Sequence, residues 1–161
     1  MKKLYALMLM AALAWGCSKD DPNQESFFIG TWEIVGVRSG NEPVSVLEPA
    51  QSVEHGTIQF TRRKDKAKRG SYDYKFTEKN GTLQAHQGEF IWWMQAGNGD
   101  ERYMQVNMAE FGQKAFGVGE TEFGYHPRIE VVDNNRILFL VRLNGSTPRP
   151  HKAYEFELRR K

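Results

Sequence analysis

The residues best suited to chemistry in this chain are cationic and aromatic. Arg62-Arg63-Lys64-Asp65-Lys66-Ala67-Lys68-Arg69 places six cations and one anion in eight residues. Such a run suits an anionic surface: lipopolysaccharide, phospholipid headgroups or an acidic partner. No aromatic residue is interleaved with the charges, so the run does not read as a nucleic-acid platform. A solvated loop is the plain alternative. Arg102 precedes Met104, Val106 and Met108 at period two, and Arg142 follows Leu138 and Leu140 in the same way. An arginine on an apolar face would hold a ligand carboxylate, because a bidentate acid satisfies a guanidinium whose burial is otherwise costly. An arginine reaching solvent from a strand end is the competing account. Trp92-Trp93, beside Phe90 and Met94, is the densest aromatic cluster. Neighbouring residues of a strand point to opposite faces, so one tryptophan enters the interior and the other faces outward. The outer one would meet a sugar ring, a membrane interface or a partner, or be covered by residues 109–124. In that stretch Phe111, Phe116 and Phe123 each precede a glycine, which reads as a mobile loop with three candidate gate residues over a ligand.

Catalytic constellations are not apparent. His55, His86, His126 and His151 lack the close spacing of zinc ligands, and no Gly-x-Ser-x-Gly elbow occurs. Glu155 and Glu157 share one strand face as solvent-facing alternation. The expectation is a binding protein that is not an enzyme and has neither metal nor cofactor. The 161 residues carry 22 basic and 20 acidic side chains. Lys2 and Lys3 account for the excess, so the chain is neutral from Cys17 onward, which argues against a nucleic-acid partner. At 40 % hydrophobic and 26 % charged the composition is that of a folded globular protein.

The elements that must position these residues are strands. Ile58 and Phe60, Tyr72, Tyr74 and Phe76, Met104, Val106 and Met108, and Tyr154, Phe156 and Leu158 all alternate with polar neighbours. This is the pattern of an antiparallel sheet with one solvated face. Ile137–Leu143 is apolar on both faces apart from Arg142, so that strand is expected to be covered on both sides. Turn signals at Asn80-Gly81, Gly97-Asn98-Gly99-Asp100, Asp133-Asn134-Asn135 and Asn144-Gly145 separate the runs. Strands are predicted at about 30–38, 56–62, 70–77, 82–87, 89–95, 101–108, 121–125, 128–132, 136–143 and 152–160. A helical turn is expected near 50–54. The basic run 62–69 falls at a hairpin tip. Short turns between successive strands favour an all-β, antiparallel up-and-down barrel of eight to ten strands, which removes exposed edges by closing on itself. A two-sheet β-sandwich is the alternative.

The N-terminus has its own logic. Lys2-Lys3 precedes the 12 apolar residues Leu4 to Trp15, too short to span a bilayer but long enough for a secretory signal. Ala14-Trp15-Gly16-Cys17, with a small residue before the only cysteine, resembles the lipobox of bacterial lipoproteins. The resemblance implies cleavage after residue 16 and acylation of Cys17 by diacylglycerol and a fatty acid, an effectively permanent membrane anchor. Residues 17–26 then form a polar, proline-containing tether, and 27–161 the single domain. Ser18 fits outer-membrane sorting. Asp20-Asp21 resembles the surface-export signal of Bacteroidetes lipoproteins and implies exposure at the cell surface.

Phe27-Phe28-Ile29-Gly30-Thr31-Trp32 opens the domain, and Gly-x-Trp on a first strand resembles lipocalins and fatty-acid-binding proteins. In those families the tryptophan closes the barrel floor beneath an arginine from the last strand. That implies Trp32 paired with Arg159 or Arg160. The connection from Ser39 to His55 corresponds to the lid of such barrels. The function implied is binding of a small apolar or amphipathic ligand at the outer membrane, with Trp32, Trp92, Arg102, Phe111, Phe116, Phe123 and Arg142 as candidate contacts. A module binding an envelope protein or glycan through Arg62, Arg63, Lys64, Lys66, Lys68 and Arg69 is the alternative.

Overall fold

The structure, a computed structural model, describes residues 24–41, 47–62, 68–97, 102–119, 127–143 and 152–161. A short helix, α1 (Glu25–Phe28), leads into β1 (Gly30–Asn41). Then follow β2 (Glu48–Pro49), β3 (Ser52–Thr61), β4 (Lys68–Thr77), β5 (Leu83–Ala96) and β6 (Arg102–Met108). The chain ends with β7 (Gly112–Val118), β8 (Arg128–Asp133), β9 (Arg136–Leu143) and β10 (Lys152–Arg160).

Strands β3 to β10 pair in sequence order, and β1 pairs with both β3 and β10, so the sheet closes on itself. The fold is a barrel, not a sandwich. Among the described residues nine strands form the wall, with two-residue β2 completing the upper edge against Arg38 and Ser39 of β1. An odd number of strands cannot alternate in direction all the way round. The exception is β7–β8, which runs parallel at Gly117–Val118 against Arg128–Ile129.

The alternation read from the sequence sets what faces in. Tyr72, Tyr74 and Phe76, Met104, Val106 and Met108, and Tyr154, Phe156 and Leu158 are all buried in one core. A bulge between Ile34 and Gly36 resets the phase of β1, so Trp32, Ile34 and Val37 all join that core. Ile137, Phe139 and Val141 face the interior, while Leu140 is buried on the outer side with Leu47 and Ala153. That strand is covered on both faces, as its composition implies.

Five local expectations are corrected. The runs 82–87 and 89–95 are one strand, β5, passing straight through Gly88. Gly88 marks a close approach, since a Cβ there would lie 2.7 Å from the Tyr72 hydroxyl. Residues 112–118 are strand β7, not a mobile loop. Only Gly112 and Gly119, at its ends, need positive φ there (65° and 102°). Residues 50–54 are not a helical turn, because β3 begins at Ser52. The described parts of the connection from Ser39 to His55 are wall, not lid: Ala50 N–H donates to the Val37 carbonyl at 2.8 Å and Gln51 N–H to Thr77 at 2.9 Å. The predicted strand 121–125 lies outside the described residues. Glu25 and Ser26, expected in the tether, belong to α1.

Candidate functional site

The two ends of the barrel differ in chemistry. One is plugged. Trp32, fully buried, donates its indole N–H to the Phe28 carbonyl at 2.9 Å, which ties β1 to the short helix. The Arg160 guanidinium lies 4.5 Å from the Trp32 ring centre and 5.3 Å from that of Phe27. It also donates to the carbonyls of Phe27, Ile29 and Asn134. The tryptophan–arginine floor is therefore built with Arg160 and not Arg159, which is exposed. Trp92 completes this end: it is fully buried, its ring centre is 5.3 Å from that of Phe60, and it donates to the Arg69 carbonyl at 3.0 Å.

The opposite end carries polar groups set among aromatic rings. Glu78, 3 % exposed, follows β4 directly. Its Oε1 accepts from the Gln84 amide at 2.7 Å, the Lys152 ammonium at 2.5 Å and the Tyr154 hydroxyl at 3.0 Å. Among the described residues no donor reaches its other oxygen, Oε2. Beside it lies a cleft of about 310 Å³, lined by Ser39, Gly40, Glu48, Glu78, Lys79, Asn80 and Lys152. Phe76, Tyr154 and Phe156, which do not line the cleft, pack edge-on or stacked on one another in the core of this end. Deeper in the same end, Glu110 accepts from the Tyr72 hydroxyl and, at 3.0 Å, from the Tyr74 hydroxyl. The His86 ring lies 5.5 Å from Tyr74.

These surroundings set the ionisation states. Burial, then the Glu110 hydrogen bond and charge, push the Tyr72 phenol up to about 12. Burial raises Tyr74 further, again with Glu110 contributing. Both remain neutral donors. Burial also pushes the Glu78 carboxyl upward, but the hydrogen bonds from Lys152, Tyr154 and Gln84 and the Lys152 charge outweigh it and hold the group below its ordinary 4.5. A carboxyl lowered on folding stabilises the fold above its unfolded value, and that contribution is lost as pH falls through the lower folded value. Glu78→Gln is thus expected to make the thermal midpoint fall less steeply below pH 4.5, read by circular dichroism across that range. An unchanged acid profile would show that Glu78 is not held in this way.

The residues singled out from the sequence are not brought together. Trp32, Trp92 and Phe116 are buried in the plugged half, where they pack the core; the Phe116 ring lies tilted against that of Phe139, centre to centre 4.3 Å. Arg102 begins β6 at the same plugged end and is exposed, so it does not stand at a polar mouth. Phe111, buried, packs against Phe156 toward the opposite end. Phe111 is buried in the turn between β6 and β7, and Phe116 is buried within β7. Phe123, Cys17, Arg63, Lys64, Lys66 and the Arg142 side chain lie outside the described residues. Arg62, Lys68 and Arg69 flank the β3–β4 connection at the plugged end, as the hairpin reading implies. Trp93 faces outward and is half-buried.

Glu78, Glu110, Lys152 and Tyr154 are not among the residues to which the sequence points. One signal was available: Tyr72, Tyr74 and Phe76 continue at period two to residue 78, which places a carboxylate on the inner face. Gln84 and His86 fall on the inner face of β5 by the same phase as Phe90 and Trp92. The pairing of these positions across the barrel depends on strand order and tilt, which one strand's pattern does not carry.

No family model matches the sequence, and no curated protein matches it. Among solved structures, the chain is similar to an S-type phycobiliprotein lyase from Guillardia theta (TM-score 0.48, 9 % identity, covering 84 % of this chain and 89 % of that one). It is also similar to apocrustacyanin C2 (TM-score 0.37, 11 % identity, 84 % and 61 % covered). Apocrustacyanin C1 is similar as well (TM-score 0.38, 13 % identity, 90 % and 71 % covered).

Proposed function

We propose that this chain is a lipid-anchored lipoprotein of the outer membrane whose barrel binds a small amphipathic ligand at the polar end, without catalysis. What supports the reading above all is Glu78: a carboxylate almost wholly buried beside a cleft, with Oε1 saturated and no described donor on Oε2. A few fixed polar groups beside an apolar core are a common construction of a small-ligand site. The polar head of the ligand would donate to Glu78, and its apolar part would lie toward Phe76, Tyr154 and Phe156. The plugged half is filled by its own rings, so the ligand is confined to the cleft and the polar end. The anchor reading comes from Cys17 and the leader alone.

Calorimetric titration of residues 24–161 with octylamine, octanol and octanoate tests this. Binding of octylamine or octanol, weakened about tenfold by Glu78→Gln, is expected, since a hydrogen bond to a charged group contributes about 1.5–3 kcal/mol. Heats identical in the parent and Glu78→Gln chains, or no binding of any of the three, would remove the reading.

The second reading, a non-catalytic module for an envelope protein or glycan, is favoured by the outer face of β5. There Ile91 is 46 % exposed, two residues from the outward Trp93 and paired across the strand with Arg69.

A further inference from the structure

Among the described residues, the charges are paired differently at the two ends of the barrel. At the polar end the lysines are matched: Lys79 pairs with Glu48 at 2.5 Å, Lys152 with Glu78 at 2.5 Å and Lys75 with Glu54 at 2.7 Å. At the plugged end a cleft of about 300 Å³ is bordered by Gln24, Glu25, Arg62, Gln95 and Arg102. Its one acid, Glu25, is taken by Lys68, with Arg62 farther off at 3.9 Å. Among the described residues no acid pairs with Arg102. Arg69 meets only the exposed Glu89, at 3.5 Å. Among the described residues, Arg62, Arg69 and Arg102 therefore give one side of this end more exposed guanidinium groups than closely paired acids, in a chain that is neutral from Cys17 onward.

The N-terminus enters at this same place. Gln24 lines the cleft, and the seven-residue step from Cys17 to Gln24 spans at most about 25 Å when fully extended. An anchor at Cys17 would hold this end, and not the Glu78 end, close to the bilayer. Guanidinium groups suit phosphate in both charge and geometry.

We propose that the plugged end docks on an anionic bilayer surface, with Arg62, Arg69 and Arg102 against lipid phosphates, and that the Glu78 end is presented away from the membrane. The orientation rests on the lipid-anchor reading for its tether, while the charge asymmetry stands independently of it. Each arginine near an anionic surface is worth about fivefold in partitioning at physiological salt, and the effect fades as salt screens it.

The test uses the full acylated chain in vesicles of phosphatidylcholine mixed with phosphatidylglycerol, or of phosphatidylcholine alone. A dye is placed on Gln95→Cys at the plugged end or on Asn80→Cys at the opposite tip, and the quencher sits on lipid headgroups. Quenching several-fold stronger at residue 95 than at residue 80 is expected in the mixed vesicles. The contrast should weaken to what the tether alone imposes in phosphatidylcholine alone, in high salt, and in the R62E/R69E/R102E variant; a contrast undiminished in all three would overturn the proposal. Equal quenching at both sites in mixed vesicles, or stronger quenching at residue 80, would overturn the proposal. The anchor is read separately. Release of the parent chain from vesicles in high salt, or dye labelling of its one cysteine, would defeat the lipid-anchor reading, whereas the low-salt contrast between the two dye sites still decides the docking.

Discussion

Replacing Trp32 by alanine is expected to lower stability by about 3–5 kcal/mol, the range for deleting a large buried aromatic side chain. Trp32 has no solvent exposure and holds three parts of the molecule together: the α1 carbonyl of Phe28, the Phe27 ring and the Arg160 guanidinium. Truncation leaves a cavity at the barrel floor and takes the aromatic face from beneath Arg160. The loss should appear as a lower guanidinium midpoint at an unchanged slope, the signature of altered stability without an altered denatured state. Trp32→Phe keeps a ring over the floor but removes the indole N–H, so it should fall between the two. A Trp32→Ala chain within about 1 kcal/mol of the parent would mean that the floor is not where the barrel is held.

Gly70→Ala should be nearly as damaging, at about 3 kcal/mol, although it adds a single methyl group. Gly70 faces inward on β4, opposite Phe90 of β5. The Phe90 ring lies across it, so that a Cβ would overlap the ring and stand 2.5 Å from the Gln59 carbonyl oxygen of β3. A ring can swing aside, but the neighbouring strand's backbone cannot without breaking the ladder. Overpacking of this kind costs about 1–3 kcal/mol or somewhat more. Gly36→Ala is the internal control. Its Cβ would meet Glu157 at 3.4 and 3.5 Å, close to ordinary contact, and the stiffer unfolded chain offsets part of any cost. Chemical denaturation of both variants should therefore separate them by more than 2 kcal/mol, on the magnitudes just given. Equal midpoints would contradict the close packing of β3, β4 and β5.

Much of this architecture is legible in the residues themselves because a strand's phase is local. Tyr72, Tyr74 and Phe76 face the core for the same reason that they alternate with Asp73 and Lys75. Glycine misleads in this chain because its two uses look alike in one dimension. Gly88 and Gly117 read as breaks, yet both sit within strands, and Gly88 makes room for the Tyr72 hydroxyl. Arg102 shares the phase of Met104, Val106 and Met108 but is exposed at the start of its strand. Which end of the barrel a strand terminus occupies depends on strand order, and β6 begins at the plugged end. Glu78, Gln84, Lys152 and Tyr154 are up to 76 positions apart in sequence. Closure of β10 onto β1 and the tilt of the wall bring them together, and no local pattern announces that.

The most direct test of the account is a map of backbone amide shifts as octylamine is added to residues 24–161. Movement confined to residues 39–40, 48, 78–84 and 152–154, and lost in Glu78→Gln, is the predicted result. Movement centred on Trp32, Trp92 and Arg160, or spread evenly around the barrel, would contradict a ligand site at the Glu78 end.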